Sequence, residues 1–226
     1  MKCRGWPVML ALALAACGNE AAPPADEREQ LAPARQAEVA GPERRVLAFG
    51  DSLFAGYGVG RSHSYPAQLQ AALRARGINA RVTNSGVSGD TTASGLQRIE
   101  FVLDGGPRPD LVIVELGGND LLRGISPIET RENLNAILTE LDERNVPVLL
   151  MGMRAPPNLG EAYVKAFDGI YPELAERHDA ALVPFFLEPV YDKPQLIQAD
   201  HVHPTAEGIE KLVAATVDDV AEALPD

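Results

Sequence analysis

From residue 45 onward, short unbroken apolar runs alternate with longer stretches in which apolar residues recur every three or four positions. The short runs, residues 46–49, 80–84, 111–116, 146–151 and 181–184, predict strands. The clearest is Leu111-Val112-Ile113-Val114-Glu115-Leu116, apolar at odd and even positions alike, as a strand covered on both faces must be. The periodic stretches predict helices over residues 65–76, 91–103, 126–144, 163–178 and 205–224. Leu69, Ala72 and Leu73 share one face of the first, which Gly77 stops. Ser126-Pro127-Ile128-Glu129 opens the third with a capping box and a proline at the first helical position. Pro172 must kink the fourth or start a new segment. The last carries Ile209, Leu212, Val213, Val217 and Val220 on one stripe.

Strand-helix alternation with apolar strands predicts an α/β domain, a parallel sheet with helices on both faces. In such sheets ligands bind beyond the carboxyl ends of the strands. Gly50-Asp51-Ser52 follows the first strand, residues 85–90 the second and Gly117-Gly118-Asn119-Asp120 the third, so three polar motifs converge on one edge. Residues 45–226 form one domain, with no internal repeat.

The first 44 residues read differently. Lys2 and Arg4 precede a short apolar run, residues 8–16, too short for a permanent membrane span. Leu14-Ala15-Ala16-Cys17 resembles a bacterial lipobox. That resemblance implies a signal peptide over residues 1–16, cleaved before Cys17, and lipid on the new N-terminal cysteine. An ordinary secretory signal with a chance cysteine is the alternative. Gly18, in place of the aspartate that favours inner-membrane retention, points to the outer membrane. The domain is thus expected at the periplasmic face of the cell envelope, held by a lipid anchor on Cys17. Residues 17–44, rich in Ala, Pro, Glu, Gln and Arg, hold almost no large apolar residues and read as a disordered tether.

Composition narrows the chemistry. Cys3 and Cys17 are the only cysteines, so cleavage and lipidation leave no thiol nucleophile, thiolate metal site or disulfide. The net charge of −12 argues against nucleic acid as a partner. A monomeric soluble domain is expected.

Ser52 is the candidate nucleophile, placed where a strand turns into a helix, although a turn or helix-cap serine is the commoner reason for Gly-Asp-Ser. Phe54 stands where a Gly-x-Ser-x-Gly elbow needs its second glycine, which disfavours an α/β-hydrolase. The histidines are His63, His178, His201 and His203. His178 ends a predicted helix, where a cation suits the dipole, and is read as structural. His201 and His203 both lie near Asp200, which can orient an imidazole. A metal reading of Asp200, His201 and His203 lacks further clustered ligands. Candidate oxyanion donors are the backbone N–H groups of Ser52 and Gly89 and the side chain of Asn119. Simple turns would also account for these glycines and for Asn119.

Together the motifs resemble the SGNH hydrolase superfamily, the GDSL lipase/esterase family. The matching blocks are Phe49-Gly50-Asp51-Ser52-Leu53, Asn84-Ser85-Gly86-Val87-Ser88-Gly89-Asp90-Thr91, Gly117-Gly118-Asn119-Asp120 and Asp200-His201-Val202-His203-Pro204. Residues 114–124, 166–172 and 183–188 further resemble the bacterial arylesterase, acyl-CoA thioesterase and lysophospholipase branch. The resemblance implies a three-layer α/β/α sandwich with a central, mostly parallel five-stranded sheet of flavodoxin-like order. It implies Ser52, Asp200 and His203 as the catalytic triad, with Ser52, Gly89 and Asn119 as the oxyanion hole, and no cofactor or metal. The Asp-x-x-His-Pro frame selects His203 over His201, which stands where relatives often carry glycine.

The expected function is serine ester hydrolysis through an acyl-enzyme, on small-molecule esters, thioesters or lysophospholipids. A carbohydrate O-deacetylase would use the same machinery, but only 5% of the residues are aromatic, little for stacking sugars. A non-catalytic acyl- or partner-binding lipoprotein is the remaining alternative. The acyl pocket is expected around residues 155–163, with Leu122, Ile125 and Leu159 contributing.

Overall fold

The computed structural model describes residues 39–225. The expectations for the signal peptide, the lipidation of Cys17 and most of the tether lie outside the described residues. Five strands, β1 (Arg44–Gly50), β2 (Ala80–Gly86), β3 (Leu111–Glu115), β4 (Val148–Met151) and β5 (Ala181–Val183), form one sheet in the order β2-β1-β3-β4-β5. Every pairing is parallel. The central strands β3 and β4 are buried throughout and β1 from Val46 on, whereas the edge strands β2 and β5 are partly exposed. That is why the central runs are continuously apolar and the edges mixed.

Eight helices flank the sheet among the described residues: α1 (Ser52–Ala55), α2 (Tyr65–Ala75), α3 (Thr92–Asp104), α4 (Gly118–Arg123), α5 (Pro127–Glu143), α6 (Glu161–Asp168), α7 (Ile170–Arg177) and α8 (Ala206–Ala223). The first crossover runs from β1 outward to β2, and the next returns past β1 to β3. With right-handed connections the two crossovers lie on opposite faces. Accordingly α2 packs with α8, and α3 packs with α5. The order 2-1-3-4-5 puts the switch point between β1 and β3, where such sheets open a crevice. Ser52 follows β1 and Asn119 follows β3, so both border it.

Local chemistry sets the element ends. The Thr91, Ser126 and Thr205 side chains cap α3, α5 and α8 by accepting backbone N–H bonds. Ser126 takes the N–H of Ile128. The strand expected from residue 146 begins at Val148, because the Val146 N–H is taken by Leu141 O at the close of α5. The helix expected over residues 163–178 is two helices. The break falls at Gly169, and Pro172 sits as the third residue of α7, where no helical N–H is lost. The short helices α1 and α4 were not anticipated by periodicity.

The core holds the strand side chains against Leu134, Ile137, Leu138 and Leu141 on one face and Leu69, Leu73, Ile209 and Val213 on the other. Beneath the first turn, Phe54 stacks on Tyr65 at 5.0 Å and Phe186 meets both edge-on. The buried Tyr65 hydroxyl bonds Thr216 Oγ1 at 2.7 Å.

Candidate active site

Ser52 is the first residue of α1. Asp51 before it is buried, and its Oδ1 caps the helix by accepting Leu53 N–H at 3.0 Å. The turn is tight because β2 ends against it. A Cβ on Gly86 would lie 2.5 Å from Ala55 N and 2.8 Å from Asp51 O. Asn84 ties the same turn, its Nδ2 donating to Phe54 O at 2.8 Å. From below, Arg98 donates to Gly50 O (2.9 Å) and to Asp90 Oδ2 (2.6 Å), with its guanidinium 4.0 Å over the Phe49 ring. The end of β1 and the second motif are thus one bonded unit.

His203 reaches the site from the loop before α8. Its Nε2 lies 2.8 Å from Ser52 Oγ and its Nδ1 2.7 Å from Asp200 Oδ2. With Nδ1 carrying the proton, the bonds run from serine hydroxyl to imidazole to carboxylate. Asp200 Oδ1 accepts the N–H groups of Val202 and His203, both at 3.0 Å, so one carboxylate folds the loop and aims the ring. The His203 N–H is the largest influence holding the Asp200 carboxyl down to about 2, joined by Val202 N–H and the imidazole. Gln198 braces the loop, donating to Tyr57 O and Pro204 O. The Tyr57 ring lies 4.2 Å from the His203 ring, tilted by 31°.

His201, two residues before His203, has φ +61°, the left-handed conformation in which glycine is unstrained. His201 borders the cleft but makes no contact in the series. His63 lies in a short turn outside the cleft, bonded to Ser62 Oγ. The buried side chain of His178 bonds Asp142 at 2.5 Å and Asn135 at 3.1 Å, a structural setting. Among the described residues no three His, Cys, Asp or Glu side chains group as metal ligands would.

Of the expected oxyanion donors, the Ser52 and Gly89 N–H groups meet no acceptor among the described residues. Gly89 has φ +87° and its carbonyl is gripped by Arg123 Nη2 at 2.6 Å. The Asn119 amide is already engaged. Its Nδ2 donates to Asp51 Oδ2 at 2.8 Å and to Asp90 O at 2.9 Å. Its neighbour Asp120 is buried and braces the motif by accepting from Thr92 N, Thr92 Oγ1 and Thr130 Oγ1.

Beside Ser52 opens a cleft of about 640 Å³, bordered by Leu121, Leu122, Met153, Leu159, Phe185 and Leu187 among others. Leu122 and Leu159 both border this cleft. Ile125 does not border the cleft: Gly124, at φ +65°, turns the chain away, and Ile125 O accepts the Tyr163 hydroxyl at 2.9 Å. The wall formed by residues 155–163 is pinned by Asp168, whose Oδ1 accepts Ala155 N–H at 2.8 Å. Sequence reasoning missed Tyr57, Arg123, Gln198 and Glu115. Only Glu115 left a signal, as the one charged residue inside the most apolar strand.

What this sheet and these distances define is a serine hydrolase. The chain belongs to the GDSL-like Lipase/Acylhydrolase family, whose model matches residues 48–211. It is 44% identical over 159 residues to thioesterase 1/protease 1/lysophospholipase L1 of Escherichia coli K12, covering 70% of this chain and 74% of the relative. It is 42% identical over 163 residues to an arylesterase of Vibrio mimicus, covering 72% of this chain and 81% of the relative. Among solved structures, AlinE4, an SGNH-hydrolase family esterase, is 68% identical, covers 83% of this chain with all of its own, and superposes with a TM-score of 0.70.

Proposed function

We propose that this protein hydrolyses carboxylic esters and thioesters through an acyl-enzyme on Ser52. The observation that carries the reading is the unbroken hydrogen-bond series Ser52–His203–Asp200 at the mouth of an apolar cleft. As Ser52 Oγ attacks the carbonyl carbon, His203 Nε2 takes its proton, and Asp200 stays ionised to stabilise the imidazolium. The oxyanion forms beside the Ser52 and Gly89 N–H groups. The Asn119 amide joins them by sharing or exchanging one of its two present bonds. Collapse breaks the bond to the leaving oxygen or sulfur, which receives the proton from His203. Water, deprotonated by the same imidazole, then attacks the acyl carbon. Ser52 leaves with the proton returned by His203, and the carboxylic acid departs.

The cleft walls are mostly aliphatic and aromatic, with Arg154 and Asn158 among them, which suits an acyl chain. Aryl and acyl esters, thioesters and lysophospholipids fit this description. A chain-length series of p-nitrophenyl esters, run beside fatty-acid release from a lysophospholipid, tests it. Release from both classes is expected, and no release from any ester would contradict the reading.

We further infer export and lipid attachment at Cys17, from the Leu14-Ala15-Ala16-Cys17 pattern alone. Metabolic labelling with a fatty acid should tag the wild type and leave Cys17→Ala untagged; equal labelling would refute it.

A further inference from the structure

Glu115 ends β3 directly behind the nucleophile turn and is fully buried. Its Oε1 has no hydrogen-bond partner, and its Oε2 lies 3.4 Å from Asp51 N. Among the described residues no arginine, lysine or histidine pairs with it. Arg98, the nearby cation, is turned to Gly50 O and Asp90. The Tyr171 hydroxyl gives its proton to Leu116 O at 2.9 Å, and Asp120 and Asp168 add only negative charge around that ring. Both ring nitrogens of His203 are taken, by Asp200 and Ser52. Gly50 admits the carboxyl, since a Cβ there would lie 2.9 Å from Oε2.

A fully buried carboxylate without a cation is disfavoured against the neutral acid. Burial pushes Glu115 well up, and the charge of Asp51 pushes it further. Burial raises Asp51 too, an effect that the hydrogen bonds to its charged form offset only in part. Both oxygens of Asp51 accept hydrogen bonds, Oδ1 from Leu53 N–H and Oδ2 from the Asn119 amide, whereas Glu115 Oε1 accepts none, so of the two neighbouring carboxyls Glu115 is the one that carries a proton. The same Asp51 carboxylate holds the Asn119 amide at 2.8 Å.

We propose that Glu115 is a positioning residue of this site: it remains a neutral carboxylic acid, donates its proton to Asp51, and so sets how tightly Asp51 holds the Asn119 amide that must meet the oxyanion. The inference rests on the ester-hydrolase reading and deepens it. Two ionised carboxylates would lock Asn119 onto Asp51 and repel the oxyanion. An unpartnered Asp51 would hold Asn119 too firmly, while a neutral Asp51 would leave it unaimed. One shared proton leaves the amide oriented yet able to share its N–H.

The first test does not depend on turnover. An infrared difference spectrum of the folded full chain against Glu115→Gln at neutral pH should contain a carboxylic-acid carbonyl band lost in the variant. A wild type without that band, or a band equal in both, overturns the proposal even if a fluorophosphonate labels Ser52 and the hydrolase reading stands. The second test is kinetic. Glu115→Ala should lower kcat about tenfold with KM within about twofold, and Glu115→Gln, which can still donate to Asp51, should recover most of that loss. In an Asn119→Ala background, Glu115→Ala should have little further effect, since the two act in series. Full additivity of the two losses, or a Glu115→Ala enzyme with wild-type kcat, would refute the role.

Discussion

His203 Nε2 lies 2.8 Å from Ser52 Oγ, across 151 positions of sequence. The contact joins the first βα turn to the last loop before α8. It survives because both ends are tied independently: the Ser52 turn to β2 through Asn84 and Gly86, the His203 loop to Gln198 and Asp200. Neither side chain is held by the other, so the serine–imidazole bond can break and re-form during turnover while the frame stays.

Asp200 both aims His203 and folds its loop. Asp200→Asn should lower kcat by between about a hundredfold and ten-thousandfold, through the wrong imidazole tautomer, with KM changed much less. The same substitution has an acid-stability signature. The Asp200 carboxyl falls from 3.8 to about 2 on folding, so its contribution is present above pH 3.8 and lost as pH falls toward 2. Urea midpoints measured across that window should decline less steeply for Asp200→Asn than for the wild type.

Arg123 holds the Gly89 carbonyl and thereby aims the Gly89 N–H. Arg123→Ala should reduce kcat/KM about tenfold, by misplacing one donor. Its melting temperature should stay close to wild type, since an exposed side chain contributes little to stability.

Gly117 has φ +115°, and a Cβ there would lie 2.2 Å from the Tyr171 hydroxyl. Gly117→Ala should destabilise the fold by at least about 2 kcal/mol in urea unfolding. Tyr171→Phe in the same chain should recover part of that loss by removing the clashing oxygen.

Glu115 gives a stability signature of opposite sign to Asp200. A raised carboxyl keeps its proton in the folded state while the unfolded chain releases it above about pH 4.5. Wild-type stability therefore falls relative to Glu115→Gln as pH rises, by about 1.4 kcal/mol per unit. Unfolding free energies measured from about pH 4.5 upward should diverge between the two proteins until the folded carboxyl itself ionises; parallel curves from the outset would count against a neutral Glu115.

The central strands were legible because β1, β3 and β4 are covered on both faces, which writes an uninterrupted apolar run into the sequence. The short helices α1 and α4 were not. Asp51 begins one and Gly117 the other, and neither is long enough to show a period. Pro172 drew attention to the right helix for the wrong residue, because a proline in the first turn is tolerated and Gly169 makes the break. Ser52, Asp200, His203, Gly89 and Asn119 could be named from short motifs, and the fold brings them to one edge. What the motifs cannot carry is reach. Arg123 spans 34 positions to Gly89, Tyr57 lies against a ring 146 positions away, and Ile125 is swung out of the cleft by one left-handed glycine. Such facts depend on how loops close over one another, which no local pattern encodes.

The most direct test of the account is whether Ser52 becomes covalently acylated. Intact mass of the protein after a fluorophosphonate probe, and again after rapid quenching with an aryl ester, should show one adduct on the wild type, mapped to Ser52, and none on Ser52→Ala. A folded wild type that takes no adduct from either reagent, or an adduct that persists in Ser52→Ala, would contradict it.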